Sequence, residues 1–309
     1  MKKRIWQYLA ASTCVCILLF TGCNKENLTM TSRVNTLGVS LITPVSASCS
    51  AVITQAGKSG IVEKGVCWSK GQSATVSDNK ATDNTFSESQ GFTADICGLT
   101  SDTKYFVRAY AISNAGTVYG NELSFTTPVD HTGEKGNVTD IEGNSYQTTG
   151  IGSQIWTLEN LRTTKFNDST DIQLGKCYRC WSFLTSPGYC LYNNDELNKS
   201  TYGALYNWYT VNTMKLCPSG WHVPGADEWT ILETFVGESN VASAISALPG
   251  GYRGDLATYL NLGENGDFWT SSPVSTDQAM YRELSTKNSI ISKGTYPIGW
   301  GASVRCVKD

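Results

Sequence analysis

Residues 217–229, CPSGWHVPGADEW, crowd two prolines, two glycines, two tryptophans, a histidine and a cysteine into one short stretch. Pro218 and Pro224 fix the backbone φ and remove two amide donors, and Gly220 admits a turn. A stretch of this kind cannot run on as one regular helix or strand. It predicts a rigid loop whose rings, Trp221 and Trp229, bury large apolar areas in a core. The chain leaves it through ADEWTILETFVG (226–237), which predicts a helix. Asp227 and Glu228 suit the first turn, where carboxylates favour the helix dipole. Trp229, Leu232 and Val236 share a face that Ile231 and Phe235 widen, and Gly237 is a good terminator. His222 is one of two histidines. With no partner set in sight, it reads as a packed or hydrogen-bonded structural residue.

The first half is patterned differently. ASCSAVIT (47–54), KGVCWSK (64–70) and KYFVRAYAIS (104–113) mix β-branched and apolar residues with polar alternation, which predicts strands. In the last of these, Tyr105, Val107 and Ala109 face one way and Phe106, Arg108 and Tyr110 the other. Turn residues such as Ser113-Asn114-Ala115-Gly116 separate the runs. Short strands at this spacing predict an all-β sandwich over residues 32–128. A chain of 309 residues suggests about two domains. Apolar residues make up 40% and charged residues 17%, enough for real cores and too little charge for a disordered chain. The net charge of −3, with lysines and arginines scattered singly, argues against a nucleic-acid partner.

The amino terminus reads as an export signal. Lys2, Lys3 and Arg4 precede an apolar run strongest over Val15–Phe20, too short for a good membrane span. Thr21-Gly22-Cys23 then resembles a bacterial lipobox, with Phe20 where Leu is usual. The resemblance implies a signal peptide over 1–22 and a lipidated Cys23 that ties the protein to a membrane. A polar tether follows over 23–31 and contains Asn24-Lys25-Glu26-Asn27. It is similar to the export signals of surface lipoproteins in Bacteroidota, which implies outer-membrane anchoring at the cell surface.

Two resemblances cover the rest of the chain. Leu99, Thr103 and Tyr105 in GLTSDTKYFV look like the tyrosine corner of fibronectin type III domains, with Ser101 in the proline slot. This implies that the Tyr105 hydroxyl bonds back to upstream backbone. GVCWS (65–69), with Trp68, resembles the third strand of bacterial members. VDHTGEKGN then reads as a linker, placed at 129–136. From about Gly136 to the end, IGSQIWTLENLRTTKFNDS, YNNDELNKSTYGALYNWY, LCPSGWHVPGADEW, LPGGYRG, GENGDFWTSS and SVRCVKD occur in the order of the Fibrobacter succinogenes major paralogous domain. That family is similar to the C-type-lectin-like fold, also used by formylglycine-generating enzymes. Gly225-Ala226 departs from its commoner Thr-Asp, at little cost because Gly is a fair helix N-cap. The expected fold is therefore an all-β fibronectin type III-like sandwich followed by an α+β C-type-lectin-like domain over 137–309. Within the latter, TYGALYNWYTVNT (201–213) predicts a helix, since Leu205, Trp208, Tyr209 and Asn212 recur at three and four. Val138–Ile141, Tyr146–Ile151 and Gln154–Trp156 predict short strands about Gly143-Asn144 and Gly152-Ser153.

The lectin-like resemblance implies a Cys217–Cys306 disulfide. Cys49, Cys67 and Cys97 in the first half are odd in number, so pairing would leave one spare, and they read first as buried free thiols in the sandwich. Cys177-Tyr-Arg-Cys180 and Cys190 are left open between a disulfide to Cys190 and free thiols. Zinc lacks a fourth ligand, and redox chemistry lacks a βαβ setting. Tyr192–Glu196 is oxygen-rich, as Ca²⁺ ligands are, but reads first as a loop capping a helix. The Glu-Pro-Asn, Gln-Pro-Asp and Trp-Asn-Asp triplets of sugar-binding C-type lectins do not occur, so no metal or other cofactor is expected. No catalytic set is recognisable. Glu264 and Asp267 could only form a glycosidase pair if the fold placed them suitably. The expected function is non-enzymatic adhesion to a polysaccharide, glycoprotein or surface protein. Tyr252, Trp269, Tyr281 and Trp300 are candidate contacts by their place in loop-rich segments. A structural subunit of a pilus or surface assembly is the alternative, and an enzyme related to formylglycine-generating proteins a remoter one.

Overall fold

The computed structural model describes residues 32–57, 60–84, 91–254, 256, 258–287 and 291–309. The export signal, Cys23 and the tether lie outside the described residues. Among those described, no helix is long and apolar enough to cross a membrane.

The first eight strands are β1 (Arg33–Ser40), β2 (Ser46–Gln55), β3 (Glu63–Ser69), β4 (Asn79–Thr82), β5 (Gly91–Cys97), β6 (Lys104–Ser113), β7 (Gly116–Tyr119) and β8 (Leu123–Thr126). β1, β2 and β5 make one antiparallel sheet. β4, β3, β6 and β7 make the other, with β8 also on β6. The alternation read from sequence sets which face is buried. Val34, Ala51, Ile53, Phe92 and Ile96 of the first sheet share a core with Val66, Trp68, Tyr105, Val107, Ala109 and Phe125 of the second. This packing has the form of a β-sandwich. The Tyr105 hydroxyl accepts a hydrogen bond from the Thr100 amide at 3.0 Å, the upstream backbone bond expected of it. Cys49 and Cys67 are buried free thiols, and Cys97 is an exposed one.

Among the described residues, thirteen further strands follow, most of them short. They are β9 (Lys135–Thr139), β10 (Ser145–Ile151), β11 (Gln154–Thr157), β12 (Gln173–Leu174), β13 (Gly188–Cys190), β14 (Leu205–Tyr206), β15 (Trp221–His222), β16 (Tyr252–Arg253), β17 (Tyr259–Leu260), β18 (Asn265–Pro273), β19 (Gln278–Ser285), β20 (Ile291–Pro297) and β21 (Val307–Lys308). β15, β21, β11, β10 and β9 form one sheet, and β18, β19 and β20 another. The helices are α1 (Tyr178–Ser182), α2 (Glu196–Tyr202), α3 (Trp208–Val211), α4 (Ala226–Val236) and α5 (Val241–Ala244). α4 is the helix predicted after the proline-rich loop, and Gly237 ends it at φ 82°. The helix predicted over 201–213 does not form. Gly203 turns the chain at φ 76°, where an added Cβ would lie 2.6 Å from the Leu161 carbonyl oxygen. Leu205–Tyr206 is then a strand, and only Trp208–Val211 is helical.

Residues 217–229 tie this half together. Cys217 is disulfide-bonded to Cys306, and Trp221–His222 pairs with Val307–Lys308. Glu228 accepts from the Gly225 amide at 2.8 Å and so caps α4. Trp229 is fully buried edge-on to Trp156, with ring centroids 4.9 Å apart. Buried arginines, Arg253, Arg282 and Arg305, act as organisers where regular secondary structure is short. Arg305, 0% exposed, donates to Asn160 Oδ1 and to the carbonyls of Thr157, Ile245 and Ser246 at 2.7–3.1 Å. Burial pushes its guanidinium down to about 9, and the Glu159 charge opposes the shift. Glu233 of α4 sits between Arg282 of β19 at 2.7 Å and Lys293 of β20 at 2.6 Å, which ties that helix to the sheet.

Candidate functional site

The four aromatic residues singled out by position converge on a fifth, Tyr296 of β20. On the antiparallel pair β19–β20, Tyr281 lies opposite Gly294 and Ala279 opposite Tyr296. Tyr281 and Tyr296 are therefore diagonal neighbours on one face. Their rings stack with centroids 3.7 Å apart. Gly294 permits this, because a Cβ there would fall 2.6 Å from the Tyr281 ring. Beyond β20, the chain turns back through a Trp300 amide to Pro297 carbonyl bond. Paired hydrogen bonds between Arg253 and Gly301, both 2.8 Å, bring Tyr252 beside Trp300. Those two rings are parallel to within 9° at 5.4 Å. Tyr296 touches both, at 5.2 and 4.6 Å. Tyr252, Tyr281 and Trp300 remain half-buried, while Tyr296 is 8% exposed.

Trp269 departs from its expected role. It stands in the interior of β18, is 0% exposed, and donates from Nε1 to the Tyr206 carbonyl at 2.7 Å. Its ring meets Tyr296 edge-on at 6.0 Å. A ring with no accessible face cannot touch a ligand, so Trp269 backs the cluster from the core. Its neighbour Asp267 is equally buried. Asp267 Oδ1 accepts from the Tyr296 hydroxyl at 3.0 Å, and Oδ2 has no hydrogen-bond partner. Burial pushes this carboxyl up to about 7, the Tyr296 hydrogen bond opposes the shift, and the Glu283 charge adds to it. Burial also raises the Tyr281 and Tyr296 hydroxyls, so both stay protonated as donors.

Other candidates resolve into structural roles. His222 holds Asp309 through Nδ1 at 2.6 Å and Glu228 through Nε2 at 2.8 Å, so both ring nitrogens are occupied. Partial burial alone would lower its pKa, but these two hydrogen bonds and charges raise it. Glu264 is exposed and paired with Lys287 at 3.0 Å, while Asp267 is in the core. The two carboxylates therefore do not share a solvent-facing setting. Asp195 Oδ1 caps α2 through the Leu197 amide, and Asn194 Oδ1 accepts from the Tyr259 hydroxyl. Among the described residues, no group of three or more His, Cys, Asp or Glu side chains could hold a metal ion. Cys177 pairs with Cys180 and Cys190 is a buried free thiol, so neither of the alternatives left open, a bridge to Cys190 or three free thiols, is found. An open groove beside α2 carries Glu159, Glu196, Arg162 and Lys199 and no aromatic ring.

Sequence reasoning missed Tyr296, the hub, and the buried arginines. Tyr296 becomes readable only with the β19–β20 register, which places it beside Tyr281. Arg253 and Arg305 had a fainter signal, since each is a lone cation inside an otherwise apolar and glycine-rich motif, LPGGYRG and SVRCV.

Comparison with known proteins bears on part of the chain. No curated protein matches it. The sensor domain of the anti-sigma factor RsgI4 of Pseudobacteroides cellulosolvens is similar at 15% identity. That match covers 32% of this chain and 76% of that one, with a TM-score of 0.26. A structure described as a myokine is similar at 19% identity over 31% of this chain and 97% of that one, with a TM-score of 0.24. The aromatic cluster of Tyr252, Tyr281, Tyr296 and Trp300 lies beyond the segment that a family model identifies. Residues 150–244 match the Fibrobacter succinogenes major domain.

Proposed function

We propose that the protein is a non-enzymatic glycan-binding lipoprotein, held at the outer membrane through Cys23 and displayed on the cell surface. On this reading the sandwich is a fibronectin type III-like spacer, and residues 137–309 are a C-type-lectin-like head. The observation that carries the reading is the half-exposed cluster of Tyr252, Tyr281 and Trp300 around Tyr296. Its rings come from β16, β19 and the turn after β20, so neighbouring chain segments hold one another in place. Aromatic faces held rigidly in this way lose little entropy when a flat apolar sugar face stacks on them, and tyrosine hydroxyls add hydrogen bonding. His222, with both ring nitrogens hydrogen-bonded to Asp309 and Glu228, takes a structural part on this reading.

The test is a screen of the Cys23→Ser protein on arrays of plant, bacterial and host glycans and mucins, with and without EDTA. Binding is expected to be insensitive to EDTA. It should be lost in Trp300→Ala and weakened in Tyr252→Ala, with the thermal transition preserved. Binding unchanged in both variants would remove the aromatic cluster from the site. No binding above background would sink the glycan reading in favour of a subunit of a surface assembly.

A further inference from the structure

The two disulfides of the second half are built for different tasks. Cys217–Cys306 joins buried residues separated by 89 positions. Cys177–Cys180 spans a separation of three, and the segment 177–180 is exposed throughout. The constraint a cross-link places on the unfolded chain grows with the loop it closes, so the short one holds the fold far less. The turn that carries it is also anchored by other means. Trp181 is 2% exposed and lies against the Arg253 guanidinium, 4.9 Å from its centre. Arg253 donates to the carbonyls of Gly175 at 2.5 Å and Cys177 at 3.3 Å. Opening the sulfur bridge leaves these contacts in place.

We propose that Cys177–Cys180 is a thiol–disulfide exchange site whose reaction partner is a dithiol, and that Cys217–Cys306 is structural. The Cys180 amide points at Cys177 Sγ across 2.9 Å and stabilises negative charge there. The attacking thiolate of the dithiol therefore bonds to Cys180 Sγ. The Cys177–Cys180 bond breaks, and Cys177 leaves as a thiolate that takes up a proton. The second thiolate of the dithiol then attacks the mixed disulfide and displaces Cys180. The protein gains two thiols, and the dithiol becomes a disulfide. Cys190 does not intervene, because burial keeps it a protonated thiol within the core. This site is independent of the glycan reading, since its readout is sulfur chemistry.

The test uses the full chain under native conditions, treated with graded dithiothreitol, then with iodoacetamide, and mapped by peptide mass spectrometry. Cys177 and Cys180 should become labelled at a reductant concentration at least about tenfold below that needed for Cys217 and Cys306, with unchanged circular dichroism. Simultaneous labelling of both pairs, or labelling of Cys177 and Cys180 only on unfolding, overturns the proposal. A Cys180→Ser chain gives a second reading. At neutral pH its Cys177 should alkylate at least about threefold faster than the exposed thiol of Cys97. An equal or slower rate contradicts the assignment of the charged sulfur.

Discussion

Residues 32–128 and residues 135–309 solve the same problem by different means. The first segment buries its apolar residues by alternation along strands of up to ten residues and leaves its cysteines free. In the second, many strands are two residues long. There, individual side chains do what ladders do in the first. A disulfide joins the proline-rich loop to the last strand, Arg305 gathers three carbonyls, and Glu233 links α4 to two strands of a sheet. A ladder spreads stability over many equivalent bonds, whereas a pinned loop concentrates it in a few. Concentrated pins free the intervening backbone to take irregular paths, and such paths bring Tyr252 and Trp300 to the β19–β20 pair that carries Tyr281.

The largest effect is expected at the Cys217–Cys306 disulfide. Cys217→Ala with Cys306→Ala should cost about 4.6 kcal/mol by the chain-entropy model for a separation of 89. Urea unfolding followed by hydrogen exchange should place the loss in residues 135–309 and leave 32–128 unchanged. An equal loss in both segments would mean that they are not separately held. Next comes Asp267→Asn. In the folded protein this carboxyl titrates at about 7, and in the unfolded chain near 3.9. Between those values the folded state keeps a proton that the unfolded state has released, so stability falls as pH rises. The amide removes that loss. The variant should be more stable than the parent by about 2–4 kcal/mol at pH 8 and nearly equal to it at pH 4. A difference that does not change with pH would refute the assignment.

Smaller effects are expected at Tyr105 and His222. Tyr105→Phe removes the acceptor for the Thr100 amide and should cost about 1 kcal/mol. That cost should be read in the unfolding of the sandwich, with the second segment unaffected. His222→Gln is the mildest change. The raised pKa of His222 means that its ion pairs stabilise fully below the unfolded value of about 6.5. That contribution fades as pH rises through the raised folded value. A stability difference between parent and variant should therefore be visible in mildly acidic buffer and vanish in alkaline buffer. Persistence at high pH would assign His222 a packing role instead.

The same division decides what could be read from the sequence. KYFVRAYAIS lies within one strand, with Tyr105, Val107 and Ala109 buried on a shared face, because the alternation needs nothing beyond its own residues. ADEWTILETFVG was legible as a helix for the same reason, since its acids, apolar face and terminal glycine are all local. Periodicity misled at 201–213. Its stripe of Leu205 and Trp208 is buried, as a helix would bury it, but the positive φ of Gly203 sends the chain along another path. The partner of Cys177 was beyond reach, because Cys190 is drawn into the core of β13 by contacts far off in sequence. Three of the four aromatic candidates gather at one surface. The fourth, Trp269, was misplaced because GENGDFWTSS, taken as loop, is mostly the long strand β18.

The most direct test of the account is an NMR titration of the Cys23→Ser protein with a glycan selected on the arrays, following indole signals. The Trp300 signal in the cluster should shift with ligand, while that of Trp68 in the sandwich core should not. A shift confined to Trp68, or binding that leaves Trp300 unmoved, would contradict the placement of ligand contact on the second segment.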